Sequence, residues 1–235
     1  MNQVTTIDTN NFAAMAQAMG MNAEASKPSS KASTLARLRI HHTPIMGQQE
    51  VKGKMKNVEV IGGGAYKLEI PDGPTYYAEG ATIRPFLQRF MYKKFIKGHD
   101  NTPNRFLKTV MANDLNNDMK DNEGGFNCGK PAGFIKDWAA LPETMKELIK
   151  SIKRVRALFG VVELVNPTDE NGNAVEVDAT AFIWEIDNRD AFKTMGDQFT
   201  KLSKMQRLPP QHTISCTSKE VPLPNGSSFY VPEAQ

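Results

Sequence analysis

The chain has 235 residues, enough to bury one core of ordinary size, and its 40% hydrophobic and 23% charged residues are the make-up of a globular protein. No apolar run approaches the roughly 18 residues that a membrane-spanning helix needs, and residues 1–20 lack a basic stretch followed by an apolar one and a cleavage site. A cytoplasmic protein without a membrane segment is expected. The formal charge of +3, from 29 basic and 26 acidic residues, is too near balance to imply a polyanionic partner, so only the distribution of charge can argue for one.

In chain order, residues 12–19 (FAAMAQAM) form a short apolar-periodic segment capped by Asn10 or Asn11, and residues 26–33 are a Ser/Lys/Pro linker. Such a helix is too short to stand alone and needs a partner surface. Residues 1–33 therefore read as a flexible arm with a short helix, and 34–235 as the domain. Strands are predicted at 38–42, 51–61 and 66–70, with turns at Gly62, Gly63 and Gly64 and at Pro71, Asp72, Gly73 and Pro74. A helix is predicted over 142–151, where Met145, Leu148, Ile149 and Ile152 recur at helical spacing. A second follows Asn188, with Phe192, Met195, Phe199 and Leu202 on one face. Between them, residues 155–165 and 181–186 are β-rich and 166–173 have turn chemistry. The pattern predicts a mainly β fold with flanking α-helices, built on a small barrel or sandwich.

The densest chemistry lies between Arg84 and Lys108. Taken as a strand, residues 83–95 place Arg84, Phe86, Gln88, Phe90, Tyr92 and Lys94 on one face, and Ile83, Leu87, Met91 and Phe95 on an apolar core face. A helix would pair Phe86 with Phe90 and Leu87 with Met91 equally well. Seven basic residues (Arg84, Arg89, Lys93, Lys94, Lys97, Arg105 and Lys108) face Asp100 alone, a surplus of six in a chain whose whole surplus is three. Cations that neutralise phosphates, interleaved with rings that stack on unpaired bases at roughly 1–3 kcal/mol each, suit single-stranded nucleic acid. Arg37 and Arg39, and Lys52, Lys54 and Lys56, repeat the cationic alternation on neighbouring strands.

Other motifs point less far. The loop from Gly124 to Pro131 has glycines and Lys130 but not the spacing of a nucleoside-triphosphate loop; it reads first as an ordinary surface turn, and otherwise as a loop that brings Phe126 and Lys130 to a DNA strand. The four histidines have no metal-ligand spacing, and the two cysteines, Cys128 and Cys216, read as reduced thiols. Asp114, Asp118, Asp121 and Glu123 are carboxylates that a metal-dependent DNA-processing enzyme would need.

Taken together, the Ala/Met-rich segment 12–19, the basic and aromatic middle, and the strand, Asn166-Pro167 turn, strand (Phe182, Ile183, Trp184) and helix module resemble the single-stranded DNA-binding (helix-destabilising) proteins of T-even-like bacteriophages. The resemblance is one of pattern over about residues 35–202. It implies an OB-like five-stranded antiparallel β-barrel with insertions, and no enzymatic activity. It also implies cooperative, sequence-independent binding of single-stranded DNA in replication, recombination and repair, with self-association through the N-terminal segment and possible contacts to replication and recombination proteins. The T-even proteins also carry a zinc site of three cysteines and a histidine and a long acidic tail. This chain has two cysteines, so no metal or other cofactor is carried over, and Pro232, Glu233, Ala234 and Gln235 are nearly neutral where the T-even proteins are acidic.

On this reading Phe86, Phe90 and Tyr92 stack on bases while Arg84, Arg89, Lys93, Lys94, Arg105 and Lys108 contact phosphates. Phe126, Lys130 and Trp138, with Arg154 and Arg156, form a second rank. The alternatives are the metal-dependent enzyme and a phage structural or interaction protein that uses the aromatic stretch as a protein interface.

Overall fold

A computed structural model describes residues 35–51, 54–98, 103–115, 137–223 and 226–235. The proposed N-terminal helix, Cys128 and the glycine-rich loop with Phe126 and Lys130 lie outside them. The described chain is mainly β: β1 (Ala36–Ile40), β2 (Ile45–Val51), β3 (Lys54–Ile61), β4 (Tyr66–Glu69), β5 (Thr75–Ala78), β6 (Gly80–Ile96), β7 (Arg105–Lys108), β8 (Ile152–Val165), β9 (Thr180–Ile186), β10 (Ile214–Pro222) and β11 (Ser228–Ala234). Two helices, α1 (Glu143–Ser151) and α2 (Arg189–Lys204), accompany them. No helix among the described residues is long and apolar enough to cross a membrane.

Nine strands form one sheet in the order β11-β10-β6-β8-β9-β1-β4-β5, with β7 added along β6, while β2 and β3 form a separate hairpin. This corrects the expected five-stranded antiparallel count. The sheet is larger, and β1 runs parallel to β9. The predicted strand at 51–61 is the second arm of the β2–β3 hairpin, whose first arm begins at Ile45. No strand is predicted at the first arm, β2; both arms are largely open to solvent, with Met46, Met55, Lys54 and Lys56 all exposed.

The module from α1 to α2 follows its sequence closely. In α2, the Asn188 side chain accepts hydrogen bonds from the backbone N–H groups of Asp190 and Ala191, and Asp190 in the first turn with Lys201 and Lys204 in the last complements the helix dipole. Its buried face, Ala191, Met195, Phe199 and Leu202, packs on the sheet. There Ala191, Met195 and Phe199 join Leu158 and Val162 of β8, Phe182 and Trp184 of β9, Leu38 of β1 and Leu68 of β4 in one core. Period-two alternation in β1, buried at Ala36, Leu38 and Ile40 and exposed at Arg37 and Arg39, sets which face turns inward.

A bulge interrupts β6. Its ladder to β8 pairs Pro85 with Gly160 and then Leu87 with Phe159, so Phe86 has no partner. Gly160 permits this approach, since a Cβ there would lie 2.1 Å from the Arg84 carbonyl oxygen. The extra residue inverts the alternation, and the expected division of faces fails. Beyond the bulge Gln88, Phe90, Tyr92 and Lys94 share the inner face with Ile83, whereas Arg84, Arg89 and Lys93 share the other with Leu87, Met91 and Phe95.

The sheet curls so that its two ends meet without a ladder. The Tyr66 hydroxyl of β4 donates to the Thr217 carbonyl of β10 at 3.0 Å, and the Tyr230 N–H of β11 donates to Nδ1 of His42 at 3.2 Å. Gly64 holds a positive φ of 90°, and a Cβ there would meet the Tyr230 ring at 2.5 Å, so a glycine turn seals this seam.

Candidate functional site

The predicted site residues divide into three groups. Tyr92, Phe90 and Arg156 face inward. Tyr92 is only 2% exposed and its hydroxyl donates to the Leu115 carbonyl. Phe90 packs on Phe192 of α2, and the Arg156 guanidinium lies 5.0 Å from the Phe90 ring and 4.6 Å from that of Phe192. Tyr92 and Arg156 are corrected: their burial removes them from bases and phosphates, Tyr92 packing on Ile152 and Leu115, while Phe90 is half-buried against α2. Arg156 donates to the Gln88 side chain. Burial pushes its pKa down to about 10, against a raising charge from Asp197, and a Cβ at Gly196 would strike its guanidinium.

Arg84 and Phe86 remain at the surface beside the bulge, in a shallow depression of about 260 Å³ with Thr82, Val161, Glu163 and Thr213. Arg89 is half-buried, with its guanidinium on the Gln88 carbonyl. Lys94 is half-buried, and Arg105, Trp138 and Arg154 are exposed. Arg154 lies 5.8 Å from the Phe192 ring.

Lys93 and Lys108 are brought together, because β7 pairs with β6 in a register that sets them opposite one another. The same register sets Phe95 opposite Phe106. These rings are 44% and 49% exposed, stand 5.2 Å apart, and the Lys93 ammonium lies 4.2 Å from the Phe106 centroid. The sequence reading assigned Phe95 to the core and passed over Phe106. The pairing of Arg105-Phe106-Leu107-Lys108 with residues 93–96 was the missing signal, and it depends on a contact between strands.

Beside this pair a cleft of about 720 Å³ opens between β1 and β9. The parallel ladder ends after Arg37 and Ile183, and the chain that follows on each side forms the walls. Arg37, Arg39, Lys93 and Lys108 contribute four fixed cations and Glu69, Glu185 and Asp187 three carboxylates. Ion pairs order most of them: Lys108 to Glu185 at 2.7 Å, Lys93 to Asp187 at 3.3 Å and Arg39 to Glu69 at 2.8 Å. Arg37 has no ion-pair partner within 4 Å among the described residues.

Titration in the cleft follows from these neighbours. Burial holds His41 below its ordinary value, helped by the charges of Lys67 and Arg39, and burial lowers His42 against a raising charge from Asp187. Burial opposes ionisation of Glu69, but the Lys67 hydrogen bond and the charges of Arg39, Lys67 and Arg37 outweigh it and hold the carboxyl below its usual value.

Compared with family models, curated proteins and solved structures, the chain matches none of them. Its own geometry carries the functional reading. Paired exposed rings joined to an ordered row of cations can hold a flat, anionic, flexible polymer. Among the described residues no group of three or more metal-ligating side chains comes together.

Proposed function

We propose that the protein binds single-stranded DNA without sequence specificity and without altering it, on an OB-like half-barrel whose β6–β7 edge carries the stacking surface. The observation that supports this best is the exposed Phe95–Phe106 pair under the Lys93 ammonium. Adjacent exposed rings offer a flat stacking surface, and the cations beside them favour an anionic partner with flat faces. Phosphates would follow Lys93, Lys108 and Arg37, with Lys153 as a neighbour on the same face, while bases stack on Phe95 and Phe106. Arg84 and Phe86 at the bulge and exposed Trp138 would extend the path. Cooperative binding through the N-terminal segment, and work alongside replication, recombination and repair proteins in the cytoplasm, complete the proposal.

Fluorescence anisotropy with a labelled oligothymidine and with a duplex of equal length, each with and without magnesium, tests it. The single strand should bind far more tightly than the duplex, emerge uncleaved, and lose affinity steeply as salt rises. Equal affinity for both, affinity indifferent to salt, or magnesium-dependent cleavage would overturn it.

A further inference from the structure

Resting on the single-stranded DNA reading, we infer that Glu185 and Asp187 are built-in competitors of the DNA backbone: in the free protein their carboxylates hold the lysines that phosphates would take, and a bound strand must displace them. The register places Lys108 of β7 opposite Lys93 of β6, and Lys93 opposite Lys153 of β8. Neighbouring strands lie about 4.8 Å apart, so three like charges stand in a row across the sheet. Such a row repels itself unless anions intervene. The protein supplies them from the end of β9. Both oxygens of Glu185 accept hydrogen bonds from the Lys108 ammonium, at 2.8 and 2.7 Å, and Asp187 reaches the other two lysines, 3.3 Å from Lys93 and 3.6 Å from Lys153.

Two features make these carboxylates exchangeable for phosphate. They hold the same ammonium groups that border the Phe95–Phe106 stacking pair, with Lys93 4.2 Å from the Phe106 centroid, so a strand stacked there brings its phosphates to the same sites. Their side chains are also 29% and 31% exposed, and ion pairs that solvent reaches are weakly held. A lone phosphate meets one ammonium and competes with its carboxylate one to one. A strand meets Lys108, Lys93 and Lys153 together, and each exchange after the first takes place within one complex. Every displaced carboxylate stays on the same face, a negative charge beside the phosphodiester. Binding is therefore weaker, and more readily reversed, than the lysines alone would make it. Carboxylates that served only to position the lysines would act in the opposite sense, and their removal would weaken binding.

The test is the affinity of the full chain for a labelled oligothymidine, read by fluorescence anisotropy at several salt concentrations. Glu185→Gln keeps the shape of the side chain and removes its charge. It should tighten binding about fivefold at low salt. The slope of log affinity against log salt should steepen by up to about 0.7, the share of one further phosphate contact. On a Lys108→Gln background the gain should vanish, since no ammonium is left to free. Asp187→Asn should tighten binding in the same way through Lys93 and Lys153, and serves alone if Glu185→Gln does not fold. Glu176→Gln, exposed in the connection between β8 and β9 at the other end of β9, controls for net charge and should leave the affinity unchanged. Wild-type or weaker affinity in both Glu185→Gln and Asp187→Asn, a gain that survives Lys108→Gln, or an equal gain in Glu176→Gln would overturn the competition and leave DNA binding standing. No binding by the wild type or by any variant would overturn both.

Discussion

The Tyr66 hydroxyl and the Thr217 carbonyl meet at 3.0 Å although 151 residues separate them, and this bond ties β4 to β10 where the curled sheet has no ladder. Tyr66 is wholly buried, its ring set edge-on to Trp184 with centroids 5.9 Å apart, and burial drives the phenol far above its usual titration range. Tyr66→Phe keeps the ring and removes only the hydroxyl that bridges β4 to β10. The expected loss is about 1–2 kcal/mol, read as a lower urea midpoint with an unchanged m-value.

Gly160→Ala tests the bulge. The added methyl would meet the Arg84 carbonyl oxygen and the Pro85 Cα, which are backbone atoms with nowhere to move. A cost of about 3 kcal/mol or more is expected, at the upper end for overpacking. A thermal unfolding midpoint within a degree or two of wild type would show that the β6–β8 register is not as described.

Phe106→Ala and Phe90→Ala should separate binding from stability. Phe106 is half-exposed, so its truncation should lower affinity for single-stranded DNA by roughly 5- to 100-fold, the range for losing one stacking ring, with little change in unfolding midpoint. Phe90 packs between Arg156 and Phe192. Its truncation should cost about 3 kcal/mol of stability, and the folded fraction should still bind DNA.

Acid should loosen β11. The folded values of His41 and His42 lie below the model-compound 6.5, so the unfolded chain binds more protons in this range and stability rises with pH. Their contribution is complete above about pH 6.5 and is lost as pH falls through the folded values. Protonation at Nδ1 of His42 also removes the acceptor for the Tyr230 N–H. Hydrogen exchange at the Tyr230 amide, corrected for intrinsic rate, should therefore accelerate between pH 7 and pH 5 in the wild type. In His42→Asn the same correction should leave a much smaller pH dependence.

Local chemistry made much of the fold legible. The Asn188 cap, the spacing of Met195, Phe199 and Leu202, and the β-branched runs of β8 and β9 act within a few residues, so the sequence alone determined the strand, turn, strand and helix module. The same holds for the turns at Gly62–Gly64 and at Pro71–Pro74, where glycine and proline restrict the backbone directly. Strands β2, β10 and β11 escaped. β2 is defined by its ladder to β3, and β10 by its ladders to β6 and β11, which are contacts between strands and not local patterns.

The basic and aromatic character of residues 84–108 was likewise determined by sequence, but not which of its side chains meet solvent. A single unpaired residue, Phe86, reverses the alternation of β6, because period two has no tolerance for an inserted residue. That reversal buries Tyr92, directs Phe90 toward α2, and leaves Phe95 exposed beside Phe106, which β7 supplies. The tertiary structure alone decided the cleft, since it exists only where β1 and β9, brought together from sequence positions about 145 residues apart, cease to pair.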